Sequence, residues 1–265
     1  GACMTPLPRL MVAPNGARRT KADHPALPIT DDELVAATRA CVAAGADGAH
    51  LHLRDGDGQH LLDAGRYRAL LARLEAEVPG VYLQVTSEAA GRYDAQTQRA
   101  MVRALKPRHV SVALREMVRQ PENWPAARDF YHWAADAGVE IQHILYSPQE
   151  VQGFVIALDN GHIPGRHHLV QLVRGTYANG ADGALPLADY LHEMSKATDH
   201  SFDWMLCSFG ADETASLVEA ARAGGKARVG FENSLHNADG SRAADNAERV
   251  REVHAALPQP AHAPS

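Results

Sequence analysis

The sequence predicts a single-domain α/β protein, a TIM (β/α)8 barrel, and three observations lead to this fold class. Eight short apolar runs recur along 265 residues, longer helical patterns separate them, and no proline-, glycine- or serine-rich linker divides the chain. Strands that alternate with single helices form βαβ units with a parallel sheet, and eight such units close most economically into a barrel. An open doubly wound sheet is the alternative arrangement.

Each of the eight predicted strands is a short run rich in apolar residues, which is typical of strands in such a fold. In chain order they are RLMVA (9–13), GAHLHL (48–53), VYLQVT (81–86), RHVSVAL (108–114), EIQHILY (140–146), HHLVQLV (167–173), FDWMLCS (202–208) and ARVGFE (227–232).

The helices between these strands have recognisable starts. Thr30 is followed three residues later by Glu33, which is the spacing of a capping box. Further starts are expected near Asp63, Asp94, Pro125, Pro148, Pro186, Asp212 and Asp245. The domain is expected to span residues 1–265, with the final segment LPQPAHAPS (257–265) as a mobile tail.

Composition and charge exclude several classes of protein. A hydrophobic fraction of 45% and a charged fraction of 22% describe an ordinary globular chain. The net charge of −6 and the lack of a long Lys/Arg run argue against a nucleic-acid partner. No run approaches the roughly 20 apolar residues of a membrane span, and we expect neither a membrane partner nor a signal peptide. The cysteines, Cys3, Cys41 and Cys207, are odd in number and unrelated in spacing, which favours a reducing compartment and predicts the cytoplasm.

The segment AHLHLRD places His50 and His52 two residues apart in a predicted strand. Side chains alternate along a strand, so both imidazoles lie on one face and could bind one metal ion. The turn RDGDG follows at once, which puts the pair at the carboxyl end of its strand, where TIM barrels carry their chemistry. A pair of hydrogen-bonded core histidines is the alternative interpretation.

Glu232 supplies the third candidate ligand. It closes the eighth predicted strand with a carboxylate where an apolar residue is expected. Two histidines and one glutamate form an open catalytic zinc site. A salt-bridged carboxylate at the barrel rim is the alternative for Glu232 alone, but the three residues together favour a metal site.

Further candidates lie in loops and at strand ends. The loop NGARRTKADHP (15–25) carries Arg18, which could bind a carboxylate or phosphate at the barrel mouth. Alternatively, Arg18 is solvated or pairs with a rim acid such as Asp55 or Glu88. Other polar residues near strand ends either line the site or cap the following helices. These are Thr86, Ser87, Ser111, Glu116 and His143.

Three segments together resemble the β-keto acid cleavage enzyme family over nearly the whole chain. They are NGARRTKADHPALPIT, AGADGAHLHLRDGDG and ARVGFENSLHNADG with the later NAERV. HxHxRD after the second strand and RxGFE at the eighth are the most specific pieces. The resemblance implies a TIM barrel that assembles as a homotetramer, with a divalent metal, typically zinc, at the positions of His50, His52 and Glu232.

The resemblance also implies an acyltransferase that converts a β-keto acid and acetyl-CoA to acetoacetate and a new acyl-CoA. The metal chelates the keto and carboxylate oxygens, and loss of an α-proton gives an enolate. The enolate attacks the thioester, CoA is transferred, and a retro-Claisen step releases the products. A zinc ion suits this chemistry because it stabilises the negative charge that an enolate develops on oxygen.

The chain departs from the family pattern at three positions. Arg228 matches an arginine that the family places beside the proton transfer, but Asn233 stands where the family has an acid next to the metal-binding glutamate. His143 aligns with a family carboxylate and could supply the missing base, because the ordinary pKa of histidine is about 6.5. Arg18 replaces a glutamate, which favours a neutral or anionic β-keto acid over an amino-bearing one.

Two other functions stay open from the residues alone. One is a different metal-assisted reaction on the same barrel, such as an aldolase or hydrolase, which would not depend on CoA. The other is a catalytically silent barrel that binds a metal or metabolite, which Asn233 motivates.

Overall fold

The computed structural model describes residues 4–259, in which eight parallel strands form a closed barrel with helices outside it. The barrel strands are β1 Leu10–Val12, β2 Gly48–Leu51, β5 Tyr82–Thr86, β6 His109–Ala113, β7 Glu140–Leu145, β8 His167–Arg174, β9 Ser201–Ser208 and β10 Lys226–Val229. Around the barrel the strand order is β1-β10-β9-β8-β7-β6-β5-β2, and β2 pairs with β1. All eight predicted strands and the predicted TIM barrel are confirmed.

The helices lie outside the barrel and begin close to their predicted starts. Thr30 and Glu33 form the predicted capping box, and the side chains of Asp63, Asp94 and Asp245 each accept a backbone N–H of the first turn. The helices are α1 Asp31–Ala43, α2 Ala64–Glu77, α3 Ala95–Leu105, α4 Leu114–Met117, α5 Trp124–Ala137, α6 Pro148–Asp159, α7 Leu187–Ser195, α8 Glu213–Arg222 and α9 Asn246–Ala256.

The predicted second and eighth strands extend too far at their carboxyl ends, since His52 and Glu232 lie beyond the last residues of the observed strands. β2 ends at Leu51, and His52 lies between it and an antiparallel pair that the sequence did not indicate, β3 Leu53–Arg54 with β4 His60–Leu61. β10 ends at Val229, and Glu232 lies in the turn that follows. His52 and Glu232 therefore belong to the loops at the carboxyl face of the barrel.

The chain packs as one domain with a large apolar core between barrel and helices. Cys41 and Cys207 are free and buried. Of the predicted mobile tail, residues 260–265 lie outside the described residues, whereas Leu257 packs into the core at 4% exposure and does not fit that prediction. Among the described residues, no helix combines the length and the apolar character that crossing a membrane requires.

A buried ion pair holds the turn that carries Glu232. Arg249 in α9 and Glu213 in α8 are both fully buried, and the Arg249 Nη2 lies 2.7 Å from Glu213 Oε1. The other oxygen of Glu213 accepts the backbone N–H of Gly230 at 3.2 Å. A Cβ at Gly230, where φ is +145°, would lie 2.3 Å from the Ala13 carbonyl oxygen. The turn after β10 is thus fixed by glycine and by a charge pair outside the barrel.

We expect Arg249→Leu to lower the free energy of unfolding by about 3–5 kcal/mol, because it leaves the Glu213 carboxylate buried without its partner. Urea unfolding followed by circular dichroism measures the change. Arg251→Leu, at an exposed position of the same helix, is the control and should cost no more than about 0.5 kcal/mol. Equal losses in the two variants would show that the pair does not stabilise the fold.

Candidate metal centre and active site

Three buried side chains converge at the carboxyl face of the barrel. His52 Nε2 lies 3.1 Å from His50 Nε2 and 2.8 Å from Glu232 Oε1, and the remaining separation, between His50 Nε2 and Glu232 Oε1, is 3.7 Å. The three residues are 2%, 2% and 7% exposed. The structure thus brings together the three residues that the sequence proposed as ligands.

The backbone places these side chains in different ways. His50 lies in β2 level with Gln84 of β5, and its Nδ1 is 2.7 Å from Gln84 Oε1. Glu232 packs against the first loop at Gly16, where φ is +62° and a Cβ would lie 2.6 Å from the Glu232 Cγ. Glycine at position 16 therefore leaves the space that the carboxylate occupies.

The electrostatic environment keeps His50 neutral and Glu232 charged. Burial, together with the charge of Arg228, lowers the pKa of His50 to about 3. Burial alone would raise the pKa of Glu232, but the positive charge of Arg228 beside it holds that pKa well below its ordinary value. A neutral imidazole and an ionised carboxylate are the forms that bind metal ions.

The three ligand atoms fit a divalent cation of the zinc type. In a tetrahedral site with bonds of about 2.0–2.1 Å, two ligand atoms lie about 3.3 Å apart, and the three observed separations bracket this value. Glu232 Oε1 is buried and has no hydrogen-bond partner in the described structure, although His52 Nε2 is close. A carboxylate oxygen that approaches an imidazole nitrogen without hydrogen-bond geometry suits a shared cation.

A second possible triad shares one histidine with the first. His52, His60 and Glu88 also offer three ligand atoms within 4.8 Å of one another. His60 Nε2 lies 2.7 Å from the Glu88 carbonyl oxygen, which leaves the unpartnered Nδ1 as its ligand atom. The Glu88 side chain is partly exposed. The second triad is therefore less enclosed than the first.

Arg228 and Asn233 form a fixed pair beside Glu232. Arg228 Nη2 donates to Glu232 Oε2 and, at 3.1 Å, to Asn233 Oδ1. Asn233 Nδ2 and Arg228 Nε are buried without partners. Because the amide oxygen of Asn233 accepts from the guanidinium, its NH2 group is left as a donor. Asn233 offers hydrogen bonds at this position and cannot act as a base.

A cavity of about 560 Å³ opens above these groups. Its size matches that of small-molecule sites in proteins. Charged residues line its wall together with tyrosines and apolar side chains. Those that bear on function are Arg18, His50, His52, Thr86, Glu88, Arg115, Tyr146, Glu150, Tyr177, Arg228, Glu232 and Asn233.

The predicted substrate-contact residues divide into two groups. Arg18 and Thr86 line the cavity, and the Thr86 Oγ1 accepts the backbone N–H of Glu88 at 3.0 Å. Within residues 4–259 the cavity wall does not include Ser87, Ser111 or Glu116.

Of the three residues outside the cavity, Ser87 and Glu116 make side-chain hydrogen bonds within the fold. Ser87 Oγ donates to the Ser111 carbonyl oxygen at 2.8 Å, and the Ser111 side chain is itself buried. The Glu116 carboxylate accepts from the Ala89 N–H and from Gln98. The Ser111 hydroxyl has no hydrogen-bond partner in the described structure, but Ser111 lies outside the cavity wall, as Ser87 and Glu116 do, so the structure does not support a substrate contact for these residues.

His143 is the clearest correction. Its ring packs against Tyr131 of α5 and Phe154 of α6, with centroid distances of 5.5 and 4.8 Å. The preceding residue, Gln142, points into the barrel and bonds to Gln84, so alternation along β7 turns His143 outward. Burial lowers the pKa of His143 to about 3. His143 therefore cannot serve as the catalytic base in this structure.

The sequence also missed residues that the structure brings to the site. Glu88 appeared only as a possible partner of Arg18, and Arg115, Tyr146 and Gln84 were not singled out. Glu88 stands two positions after Thr86, so its proximity to the strand end was available from the sequence. Arg115, which stacks over the Tyr146 ring at 3.4 Å, comes from α4, a helix that the sequence did not predict.

Comparison of the sequence with known proteins gives one consistent result. A model of the beta-keto acid cleavage enzyme family matches residues 9–262. A 3-oxoadipate:acetyl-CoA acetyltransferase of Cupriavidus necator is 26% identical, over 92% of this chain and 86% of that protein. A 3-keto-5-aminohexanoate cleavage enzyme of Fusobacterium nucleatum is 25% identical, over 90% of this chain and 86% of that protein.

Solved structures agree on the fold. The apo structure of ObcA superposes with a TM-score of 0.63 at 16% identity, over 87% of this chain and 61% of that one. A 3-hexulose-6-phosphate synthase from Salmonella typhimurium gives a TM-score of 0.58 at 14% identity, over 94% and 98%. At such identities the likeness concerns the barrel alone.

We expect the purified protein to bind one divalent cation per chain and His50→Ala to lose it. Removal of a ligand should weaken binding by more than the roughly 10–100-fold that outer partners contribute. Elemental analysis and competition with a chelator measure occupancy and affinity. His60→Ala is the matched variant, because it removes a histidine of the second triad only. Loss of the metal in His60→Ala with retention in His50→Ala would move the site to the second triad.

Proposed function

The chain belongs to the beta-keto acid cleavage enzyme family, and from this premise we propose that it transfers an acyl group between a β-keto acid and acetyl-CoA with cleavage of a carbon–carbon bond. The acid R–CO–CH2–COO⁻ and acetyl-CoA give acetoacetate and R–CO–CoA. The observation that carries the proposal is the buried triad of His50, His52 and Glu232, which lies beside Arg228 in a cavity of substrate size.

The cation is proposed to be zinc, because two imidazoles and one carboxylate form an open catalytic zinc site. When bound, it would act as a Lewis acid that offsets the negative charge developing on the keto oxygen as the α-proton leaves. The cytoplasm is proposed from the cysteine pattern, and a homotetramer from the resemblance to the family.

Arg228 and Asn233 are proposed to stabilise charge on the substrate. Both are buried, both line the cavity, and each has an N–H group without a partner in the described structure. Donors that are held in place before the reaction stabilise developing negative charge at little cost of reorganisation. Arg228 is held by its bonds to Glu232 and Asn233, so its guanidinium is fixed in this way.

Glu88 is proposed to accept the α-proton. The cavity offers two carboxylates besides Glu232, and one of them, Glu150, accepts the Tyr146 N–H and lies 3.8 Å from Arg115. Glu88 Oε2 lies 3.7 Å from His52 Nδ1, beside the triad. Burial raises the pKa of Glu88 above its ordinary value, toward the range of an efficient general base. Glu88 thus supplies the carboxylate that Asn233 lacks.

Arg18 is proposed to select a β-keto acid with a second carboxylate. It is exposed at the mouth of the cavity. Among the described residues, no ion pair joins Arg18 to either acid considered as its partner, and Asp55 pairs with Arg92 at 3.4 Å. A guanidinium can bind a carboxylate through two parallel hydrogen bonds. The Cupriavidus necator relative is named for 3-oxoadipate, a substrate with two carboxylates.

We expect purified protein to form acetoacetate and a new acyl-CoA from β-keto acids and acetyl-CoA, with dicarboxylic acids ranked above amino-bearing ones. Arg18→Glu should lower kcat/KM for the dicarboxylic acids by roughly ten- to a hundredfold, through loss of a charge-assisted contact. Mass spectrometry of both products gives the ranking.

Arg251→Glu makes the same change of charge on the outer helix α9 and should leave the ranking unaltered. An unchanged order in Arg18→Glu would exclude Arg18 from substrate choice. Turnover of a β-keto acid without acetyl-CoA would show that the protein is an aldolase or hydrolase rather than an acyltransferase. No turnover by fully metal-loaded protein would favour the catalytically silent barrel.

We expect Glu88→Gln to lower kcat by about 10²–10⁴-fold while metal content stays unchanged, because the amide cannot take a proton. Glu116→Gln is the matched control, since Glu116 is a nearby carboxylate outside the cavity wall. Loss of metal in Glu88→Gln would assign Glu88 to the metal site instead, and unchanged kcat would remove it from the mechanism.

A further inference from the structure

Three buried glutamines connect His50 to the far side of the barrel interior. Gln84 Oε1 lies 2.7 Å from His50 Nδ1, and Gln84 Nε2 donates to Gln142 Oε1, also at 2.7 Å. Gln142 Nε2 donates to Gln171 Oε1 at 3.4 Å. All three glutamine side chains are 1% exposed. The chain of amides runs across β5, β7 and β8.

Backbone carbonyl groups, which only accept hydrogen bonds, determine which way the glutamine amides are oriented. Gln171 Nε2 donates to the carbonyl oxygens of Leu172 and Met205, at 3.0 and 3.3 Å. Gln142 Nε2 donates to the Val170 carbonyl oxygen at 3.2 Å. If either side-chain amide were flipped, so that its oxygen and nitrogen exchanged places, the oxygen would face a carbonyl oxygen at hydrogen-bond distance. Both amides are therefore held with their nitrogen toward the backbone.

The orientation of the Gln142 amide fixes the orientation of the Gln84 amide. Because the Gln142 Oε1 faces Gln84, only the NH2 group of Gln84 can meet it. The Gln84 oxygen then faces His50 Nδ1, which must carry a proton to make the 2.7 Å contact. A neutral imidazole with its proton on Nδ1 has its lone pair on Nε2, and Nε2 is the atom that faces His52 and Glu232.

We infer that Gln84, Gln142 and Gln171 are positioning residues that hold His50 in the Nδ1–H tautomer and so present its Nε2 lone pair to the cation. The inference rests on the proposed function because it concerns the metal ligand of that site. Outer partners that donate to or accept from a metal-binding histidine fix its tautomer and ring orientation. Here the partner is itself oriented, through two further amides, by the backbone of β8 and β9.

The alternative is that the glutamines only satisfy one another in the barrel interior. In that case their loss would lower stability without changing the tautomer of His50. Two variants separate these roles. Gln84→Met removes the acceptor for His50, whereas Gln142→Met leaves the His50–Gln84 contact in place and removes only the group that orients Gln84. Gln98→Met is the control, since Gln98 is an equally buried glutamine outside the chain, with bonds to Ser87 and Glu116.

The test measures two quantities on the metal-free protein: the protonation of the His50 ring nitrogens, by ¹⁵N–¹H correlation spectra assigned with His50→Gln, and the affinity for Zn²⁺, by chelator competition. We expect a proton on Nδ1 in the wild type and in Gln98→Met. Gln142→Met should give a mixture of tautomers, and Gln84→Met should bind Zn²⁺ about 10–100-fold more weakly.

A proton on Nε2 in the wild type, or wild-type tautomer and affinity in both chain variants, would overturn the inference. If Gln84→Met does not fold, Gln142→Met decides alone. These results do not depend on turnover, so a wild type that binds Zn²⁺ with His50 protonated on Nδ1 but lacks acetyl-CoA-dependent cleavage would contradict the proposed function and leave the role of the glutamines standing.

Discussion

The Glu232 carboxylate is a charge buried at the carboxyl face of the barrel, and the rest of the site depends on how that charge is compensated. Burial of an ion costs several kcal/mol even after the protein relaxes. Arg228 supplies the opposite charge from β10, four residues earlier in the chain. Because Arg228 neutralises Glu232, His50 is not needed as a positive partner, and burial lowers its pKa so that it stays neutral. A carboxylate and two imidazoles together make a ligand set for a divalent cation.

The supports of this cluster come from separate parts of the fold. The absence of a side chain at Gly16 makes room for Glu232. The buried pair of Glu213 and Arg249 fixes the turn from the helix side, and Gln84 contacts His50 from within the barrel. Arg18 lies at the mouth of the cavity, and two relatives are named for different β-keto acids.

The alternation of strands and helices and the candidate metal ligands could be predicted from the sequence, because both depend on local residue patterns. Eight strands, the capping box at Thr30 and the HxH pair follow from residue spacing alone. The sequence did not show whether His143 faces the barrel interior or the surrounding helices, because a shift of one residue in register moves a side chain from one side of the strand to the other. The contacts of Ser87 and Glu116 were also hidden, since their partners lie on other strands, helices and loops of the chain. The glutamine chain depends on three strands meeting inside the barrel, which no single segment indicates.

The most direct test of the account follows the carbon atoms of acetyl-CoA. Protein supplied with Zn²⁺, a dicarboxylic β-keto acid and acetyl-CoA labelled with ¹³C in both acetyl carbons is analysed by NMR. The account predicts label at the keto carbon and the methyl carbon of acetoacetate, with the new acyl-CoA unlabelled, because the acetyl group joins the CH2–COO⁻ fragment of the acid. Label that stays in acetyl-CoA or appears in free acetate while the β-keto acid is consumed would contradict it.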